Sequence, residues 1–524
     1  MQPGGNASRD STDDPADLAA LASGGRTNFF GFLLRLAARL PFLFVAGRYY
    51  GAEQLGRFAY AILVVEFAAQ LATLGLKRGL AEQLTAADRP HGHVVWDGML
   101  AAGIASAFAA ALLMVFPQAM FPNSRINGVE RLLPLIVLAI AWSDVALAAL
   151  AYRGDIAATV RARSVIEPWV ISIAATGLYF TLSRRDGLII GYVLSMVAAM
   201  LASLWPLVRS YGRPRDWRPH PGVLLRLARA NTPLAAADAI EWTSRRIDIA
   251  ILGLFFSPVV VGVYYVAQQV TSLPQKLKTS FDPVLGPVIT RNLATGNKAA
   301  VAAQVRQVGF WILSAQAGIG LALGISGEAV LGLVGAKFIS GTAILAFLLF
   351  AEVVAATAVV SEAALIYVAR HRNLMISASV LVGQIALSVG AIVALQSIRV
   401  PATLADRVGL PGGALPAAWQ ATGPAIALAL SLGASSIVKS RLLARLLGAS
   451  VSGWRWALVW AAVAATIAGV GTTQLPEWAE LLFGMPLVLA TFLYVVWSVG
   501  FTDADRTLFR RRRAVVNVGS AASP

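Results

Sequence analysis

An all-α polytopic membrane fold of about fourteen transmembrane helices is predicted by three observations. The chain is 57% hydrophobic and only 13% charged over 524 residues, far from the composition of a soluble globular protein. Apolar runs of roughly 20 residues recur along it, the length that crosses a hydrocarbon core of about 30 Å. The basic residues divide unevenly between alternate connecting segments, as the positive-inside rule requires.

Residues 1–26, MQPGGNASRDSTDDPADLAALASGGR, are polar and acidic with no apolar core, which predicts a disordered cytoplasmic tail and no cleavable signal peptide. The spans follow at 28–47, 54–76, 94–116, 132–152, 164–182, 187–208, 231–256, 259–282, 307–326, 341–368, 375–396, 413–438, 454–472 and 480–501. An even number puts both termini on one side. With that side cytoplasmic, 30 of the 43 Lys and Arg fall inside and 9 outside, while Arg35, Arg39, Arg245 and Arg246 lie within helices. This asymmetry accounts for the net charge of +16 without nucleic acid. The run FRRRR (509–513) and the loop RSYGRPRDWRPH (209–220) read as orientation signals touching anionic lipid. Trp96, Trp205, Trp454, Trp456 and Trp478 stand near predicted helix ends, where interfacial aromatics belong.

Several chemistries are disfavoured. With no cysteine and four scattered histidines, His91, His93, His220 and His371, neither a disulfide framework nor a metal site is expected. No phosphate-binding loop of the G-x-x-x-x-G-K-[ST] type occurs. GIGLALG (318–324) lies inside an apolar span and reads as close helix packing. The one D-x-D, Asp503 to Asp505, reads as a solvated helix end. All outer loops are short, which argues against a membrane glycosyltransferase or polymerase.

An internal repeat organises the spans. GRYYGAEQLGRFAY (47–60) aligns with GLFFSPVVVGVYYV (253–266) at a constant offset of 206, matching Gly47 to Gly253, Gly56 to Gly262 and Phe58 to Tyr264. Each copy sits at the short outer turn between the first two helices of a six-helix half. The halves therefore share one orientation, about an axis along the membrane normal, and transporters built this way place their site between halves.

The seventh span carries five ionised side chains, Asp238, Glu241, Arg245, Arg246 and Asp248. At roughly 2.5 to 3.5 kcal/mol each, unpaired charges at the bilayer centre would cost on the order of 12 to 18 kcal/mol. Asp238, Glu241, Arg245 and Asp248 recur at i, i+3, i+7 and i+10, which predicts one helix face turned from lipid, with pairing along the helix through Arg245. The offset of 206 places Arg245 on Arg39, and Arg35 lies one turn earlier. A central cavity between halves would add Glu66 and Gln70 from the second span and Gln268, Thr271, Gln275, Lys276 and Lys278 from the eighth. Guanidinium suits phosphate through its planar fork, and amides and hydroxyls suit sugar. The carboxylates, with Glu352 and Glu362 of the tenth span, are candidates for a coupling proton or sodium ion. The competing reading is a buried ion network locking the halves together, and Asp144 and Glu167 fit a structural role.

GRYYGAEQLGRFAYA followed by ATLGLKRGLAEQL (72–84), RRIDIAILGLFFSPVVVGVYYVAQQVTSLP (245–274) and GEAVLGLVGAKFISGTAIL (327–345) resemble, in succession, segments of Wzx-type polysaccharide repeat-unit flippases of the multidrug, oligosaccharidyl-lipid and polysaccharide exporter superfamily. The resemblance covers about residues 27–440 and implies the MATE-like fold: two six-helix lobes, 27–229 and 230–440, then a terminal pair with a basic tail, 441–524. It also implies alternating access and transfer of a polyprenyl-pyrophosphate-linked oligosaccharide to the outer leaflet of a bacterial inner membrane, both termini being cytoplasmic. A cationic cavity in related flippases is matched in kind by Arg35, Arg39, Arg245 and Arg246. No cofactor is implied beyond a coupling ion. Expected partners are the lipid-linked substrate, membrane lipids, and polysaccharide polymerase and chain-length machinery. The alternative is a cation-coupled drug exporter of the same fold.

Overall fold

The computed structural model describes residues 41–85, 89–122, 125–126, 128–181, 185–213, 217–279, 289, 292–293, 295–400 and 413–506. Arg35 and Arg39, and the side chains of Glu241, Lys276 and Lys278, lie outside the described residues. The main helices are α1 (41–50), α2 (Gly51–Ala72), α3 (Leu76–Thr85), α4 (His91–Val115), α5 (Ile136–Tyr152), α6 (Glu167–Thr181), α7 (Gly187–Tyr211), α8 (Pro221–Ser244), α9 (Ile247–Phe255), α10 (Pro258–Thr279), α11 (Lys298–Ile325), α12 (Gly327–Val334), α13 (Thr342–Val368), α14 (Arg370–Ser397), α15 (Thr422–Leu447), α16 (Ala457–Val470) and α17 (Met485–Val495). The chain is a multi-pass membrane protein, and among the described residues its regular structure is helical but for one pair of two-residue strands, Arg399–Val400 and Gly413–Ala414.

Nine helical stretches among the described residues are long and apolar enough to cross a membrane, one of them running through α1, α2 and α3. The fifth, seventh, eighth and thirteenth predicted spans are present as helices that fall short of that standard, for physical reasons visible in each. The fifth carries Arg161, Arg163 and Glu167. The seventh is divided between α8 and α9 by a turn at Arg245 and Arg246. The eighth, α10, ends in PQKLKT, and α16 has only 14 residues. Two boundaries also differ. The twelfth span begins at Ala417 and not at 413, because Gly413 and Ala414 pair with Arg399 and Val400. The loop after the second span holds an amphipathic helix, α3, with Leu76, Leu80 and Leu84 fully buried on one side.

In the first half of the chain α5 packs on α4 and α7, and α6 on α7; in the second, α13, α14 and α15 pack together with α11 against α13. The principal contact between these sets is α2 against α10, and α16 and α17 lie on α11. One apolar core runs continuously through both halves, including Leu55, Phe58, Tyr264 and Leu345. Outward, Phe108, Trp205, Ile467 and Tyr494 are more than 70% exposed, which suits side chains facing lipid. Gly318 admits Phe492 of α17, where a Cβ would lie 2.8 Å from its ring, as expected for GIGLALG.

Asp505 corrects the expectation of a solvated helix end. It is fully buried, accepts from Trp311 Nε1 at 3.1 Å and from the Thr502 backbone N–H and hydroxyl at 2.8 and 2.7 Å, and pairs with Arg455 at 2.5 Å. The Arg455 guanidinium lies 3.8 Å from the Phe310 ring centroid. Hydrogen-bond acceptors on a short polar helix look solvated in sequence because their partners are 50 and 194 residues away.

Candidate functional site

The space between the halves is bounded at two crossings. On the face away from the basic loops, α2 meets α10 at the repeat glycines themselves. A Cβ on Gly56 would lie 1.7 Å from the Pro258 carbonyl oxygen, and one on Gly262 would lie 2.0 Å from the Ala52 carbonyl oxygen. Ala52 and Pro258 are related by the same offset of 206 as the glycines, so the contact is symmetric. Gly253 makes room for Tyr60, whose ring a Cβ would meet at 2.0 Å. Nearby, buried Arg57 pairs with buried Glu130, donates to the Arg125 carbonyl at 2.9 Å and stacks 5.5 Å over Phe121. That satisfies a charge pair that burial would otherwise penalise.

On the basic face α3 meets α8. A Cβ on Gly75 would lie 2.6 Å from Ala235 N, and one on Gly79 would lie 1.7 Å from Asn231 Oδ1. Arg78, between these glycines, pairs with Asp238 at 2.8 Å; the arginine side chain is 53% exposed and the carboxylate 3%. The turn from α2 into α3 holds Leu74 at φ 52°, the one non-glycine residue with positive φ among the described residues, followed by Gly75 at φ 72°.

Between the crossings, α2 and the α8–α9 turn carry a polar cluster. Arg246 pairs with Glu66, whose other oxygen accepts from the Tyr192 hydroxyl at 3.0 Å. The Arg246 guanidinium lies 5.0 Å from the Trp242 ring centroid, and Trp242 in turn contacts Phe67 at 5.5 Å. Thus a guanidinium of one half is held by a carboxylate of the other in a site walled by aromatic rings. Such a pair presents an anion with a fork already aimed and a carboxylate to displace.

The structure brings some predicted residues together and separates others. Asp248 is 1% exposed and internally satisfied: Tyr264 donates to it at 2.7 Å, Gln268 at 3.1 and 3.3 Å, and its own Oδ1 accepts from the Ile249 N–H at 2.9 Å. Arg245 is exposed in the turn. The expected single charged face is therefore corrected, because Arg246 leaves helical geometry at φ −138° and α9 restarts from Ile247. Thr271 bonds to the Ala267 carbonyl of its own helix, so its hydroxyl is occupied. Gln70 and Gln275 are half-buried. Glu352 is 4% exposed on α13. Glu362 pairs with Lys439 of α15 at 2.9 Å, and that lysine also donates to Ser377. Asp144 and Glu167 both bind Arg163, at 2.5 and 3.1 Å. Sequence reasoning missed Arg78, Tyr192 and Tyr264, which are ordinary residues until the fold puts a carboxylate against them; the glycines flanking Arg78 were the available signal.

The chain is similar to a known protein family and to several solved structures. The profile of a family described as "Polysaccharide biosynthesis protein" matches residues 45–309. A structure described as "Lipid II flippase MurJ, inward closed conformation" superposes with TM-score 0.66 at 11% identity, covering 91% of this chain and 97% of that one. An inward-facing multidrug resistance MATE family transporter of the MOP superfamily gives 0.58 at 15%, covering 82% and 94%. A MOP superfamily transporter from Pyrococcus furiosus gives 0.54 at 14%, covering 83% and 97%. At these identities the likeness establishes the fold, which is MATE- and MurJ-like. No curated protein sequence matches.

Proposed function

We propose, for a chain that belongs to the polysaccharide biosynthesis protein family, that it is a flippase carrying a polyprenyl-pyrophosphate-linked oligosaccharide from the cytoplasmic to the outer leaflet by alternating access. Its lobes are 27–229 and 230–440. The observation that carries this reading is the Arg246–Glu66 pair, which joins the two halves between a crossing at each end. Pyrophosphate bears more charge than one carboxylate and is the stronger partner for a guanidinium fork. Its arrival frees Glu66, removes one of the ion pairs that join the halves and lets them rock; the polyprenyl chain stays in lipid. Arg35, Arg39, Arg245, Lys276 and Lys278 add cationic charge to the same path, and Gln70 and Gln275 offer amides to sugar. Glu66, once released, is the leading candidate for a coupling proton, with Glu241, Glu352 and Glu362 next.

Export of cationic drugs is less well supported, because both oxygens of Asp248 already accept hydrogen bonds and Asp238 already holds Arg78. Asp238 and Asp248 are better read as positioning residues than as coupling sites.

The test is deletion of the gene in its native host, with measurement of polyprenyl-pyrophosphate oligosaccharide at the inner leaflet and of surface polysaccharide. The expected result is accumulation inside and loss outside, rescued by the wild-type gene and by neither Arg246→Glu nor Arg39→Glu. Unchanged pools in a host with no second flippase would end the proposal.

A further inference from the structure

Away from this path, an open groove of about 580 Å³ lies on the face opposite the basic loops. Three outer turns meet there: the π-helical end of α1 with the start of α2, the 3-10 turn Ala336–Gly341 that follows α12, and the turn leading to α17. They bring Arg48, Lys337 and Glu477 into one lining. Arg48 is oriented, since its Nε donates to the Leu333 carbonyl at 3.0 Å and its guanidinium lies 5.1 Å over Phe44, so its terminal nitrogens are aimed and available. Glu477 lies against α12, where a Cβ on Gly332 would lie 3.1 Å from Oε2. Among the described residues no ion pair joins Arg48, Lys337 and Glu477. Charges sharing a groove ordinarily neutralise one another; these three do not pair among themselves.

Two cations and one anion, spaced across a groove of ligand size, match a ligand that carries a phosphate and an ammonium. The rim is apolar: Phe44 is 43% exposed, Leu333 49% and Trp478 66%, as interfacial residues beside acyl chains are. From this we infer that the groove is a headgroup site for a zwitterionic aminophospholipid, phosphate on Arg48 and Lys337, primary ammonium on Glu477. A phosphate accepts charge-assisted bonds from both cations, and only an ammonium bearing N–H groups donates to the carboxylate. Phosphatidylethanolamine has both features; phosphatidylglycerol lacks the ammonium, and phosphatidylcholine lacks the N–H donors. The site is distinct from the Arg246–Glu66 cluster and does not depend on what that cluster carries.

Native mass spectrometry of the full chain, exchanged into nanodiscs of phosphatidylethanolamine, phosphatidylglycerol and phosphatidylcholine in equal parts, reads the lipids that stay bound. Wild type is expected to retain phosphatidylethanolamine about tenfold over either competitor, the scale of one charge-assisted hydrogen bond. Glu477→Gln should abolish preference over phosphatidylcholine and raise phosphatidylglycerol. Arg48→Glu with Lys337→Glu should release all three, and Lys337→Glu alone serves if the double variant does not fold. Equal retention of the three lipids by wild type, or a preference that survives Glu477→Gln, overturns the inference. Displacement of lipid by soluble phosphoethanolamine at micromolar concentration would also overturn it, by assigning the groove to a free headgroup.

Discussion

The two crossings that bound the space between the halves use one device and two different locks. Both rely on glycines that let helices approach to backbone contact. Where α2 meets α10, Gly56 and Gly262 press on carbonyl oxygens, and the neighbouring charge pair, Arg57 with Glu130, is buried and internal to the first half. Where α3 meets α8, Gly79 presses on the side chain of Asn231, and a half-exposed arginine reaches across to a buried carboxylate. The first contact is backbone against backbone and is insensitive to charge. The second keeps one backbone contact, Gly75 against Ala235 N, but its Gly79 contact can be relieved by rotating one amide and its ion pair by competition. Closure at the basic face is therefore the more readily switched of the two, which suits the side where a charged substrate would enter.

Four variants sharpen or break this contrast, and the absence of cysteine from the chain makes thiol labelling of single introduced cysteines a clean readout. Gly56→Ala has the largest expected effect: the Pro258 carbonyl cannot move without moving α10, so closure loses up to about 3 kcal/mol, the scale of overpacking, and a cysteine at Leu55 labels on the order of 100-fold faster. Gly79→Ala sets the same 1.7 Å clash against a side chain. Asn231 can rotate away at the cost of its bond to the Leu227 carbonyl, so a cysteine at Leu234 should gain only about tenfold, near 1 kcal/mol. Equal effects from these two substitutions would refute the distinction. Arg78→Ala ranks third, at about 0.5 to 1 kcal/mol because its arginine is half in solvent, and the difference from wild type should shrink at high salt. Leu74→Gly relieves a left-handed backbone and should tighten closure by less than about 1 kcal/mol, seen as slower labelling at Leu234.

The fold was largely legible because lipid imposes length and charge rules on every span, and those rules are local. Gly56 and Gly262 were found for a sound reason: an internal repeat marks positions that meet on an axis, and these two do meet. The site was legible only in part. Glu66 and Arg246 were singled out as membrane charges, yet nothing local to either reveals that they are each other's partner across 180 residues. The single charged face expected of the seventh span fails because helical periodicity does not run through Arg245 and Arg246, where the helix breaks and α9 restarts at Ile247. Asp505 was misjudged for the converse reason, a polar sequence being taken as solvent-facing when Arg455 and Trp311 enclose it.

The symmetry of the α2–α10 crossing has a consequence for ancestry. Gly56 reaches Pro258 and Gly262 reaches Ala52, so each copy of the repeat offers the other the surface it receives. That is the definition of an isologous interface, here folded into a single polypeptide. Two identical half-length chains meeting on a two-fold axis would make the same glycine-to-carbonyl contact, with Ala52 standing where Pro258 stands now. The first half of this protein, expressed alone, already carries both sides of the joint, and self-association through Ala52 and Gly56 is what a duplicated and fused ancestor would have used.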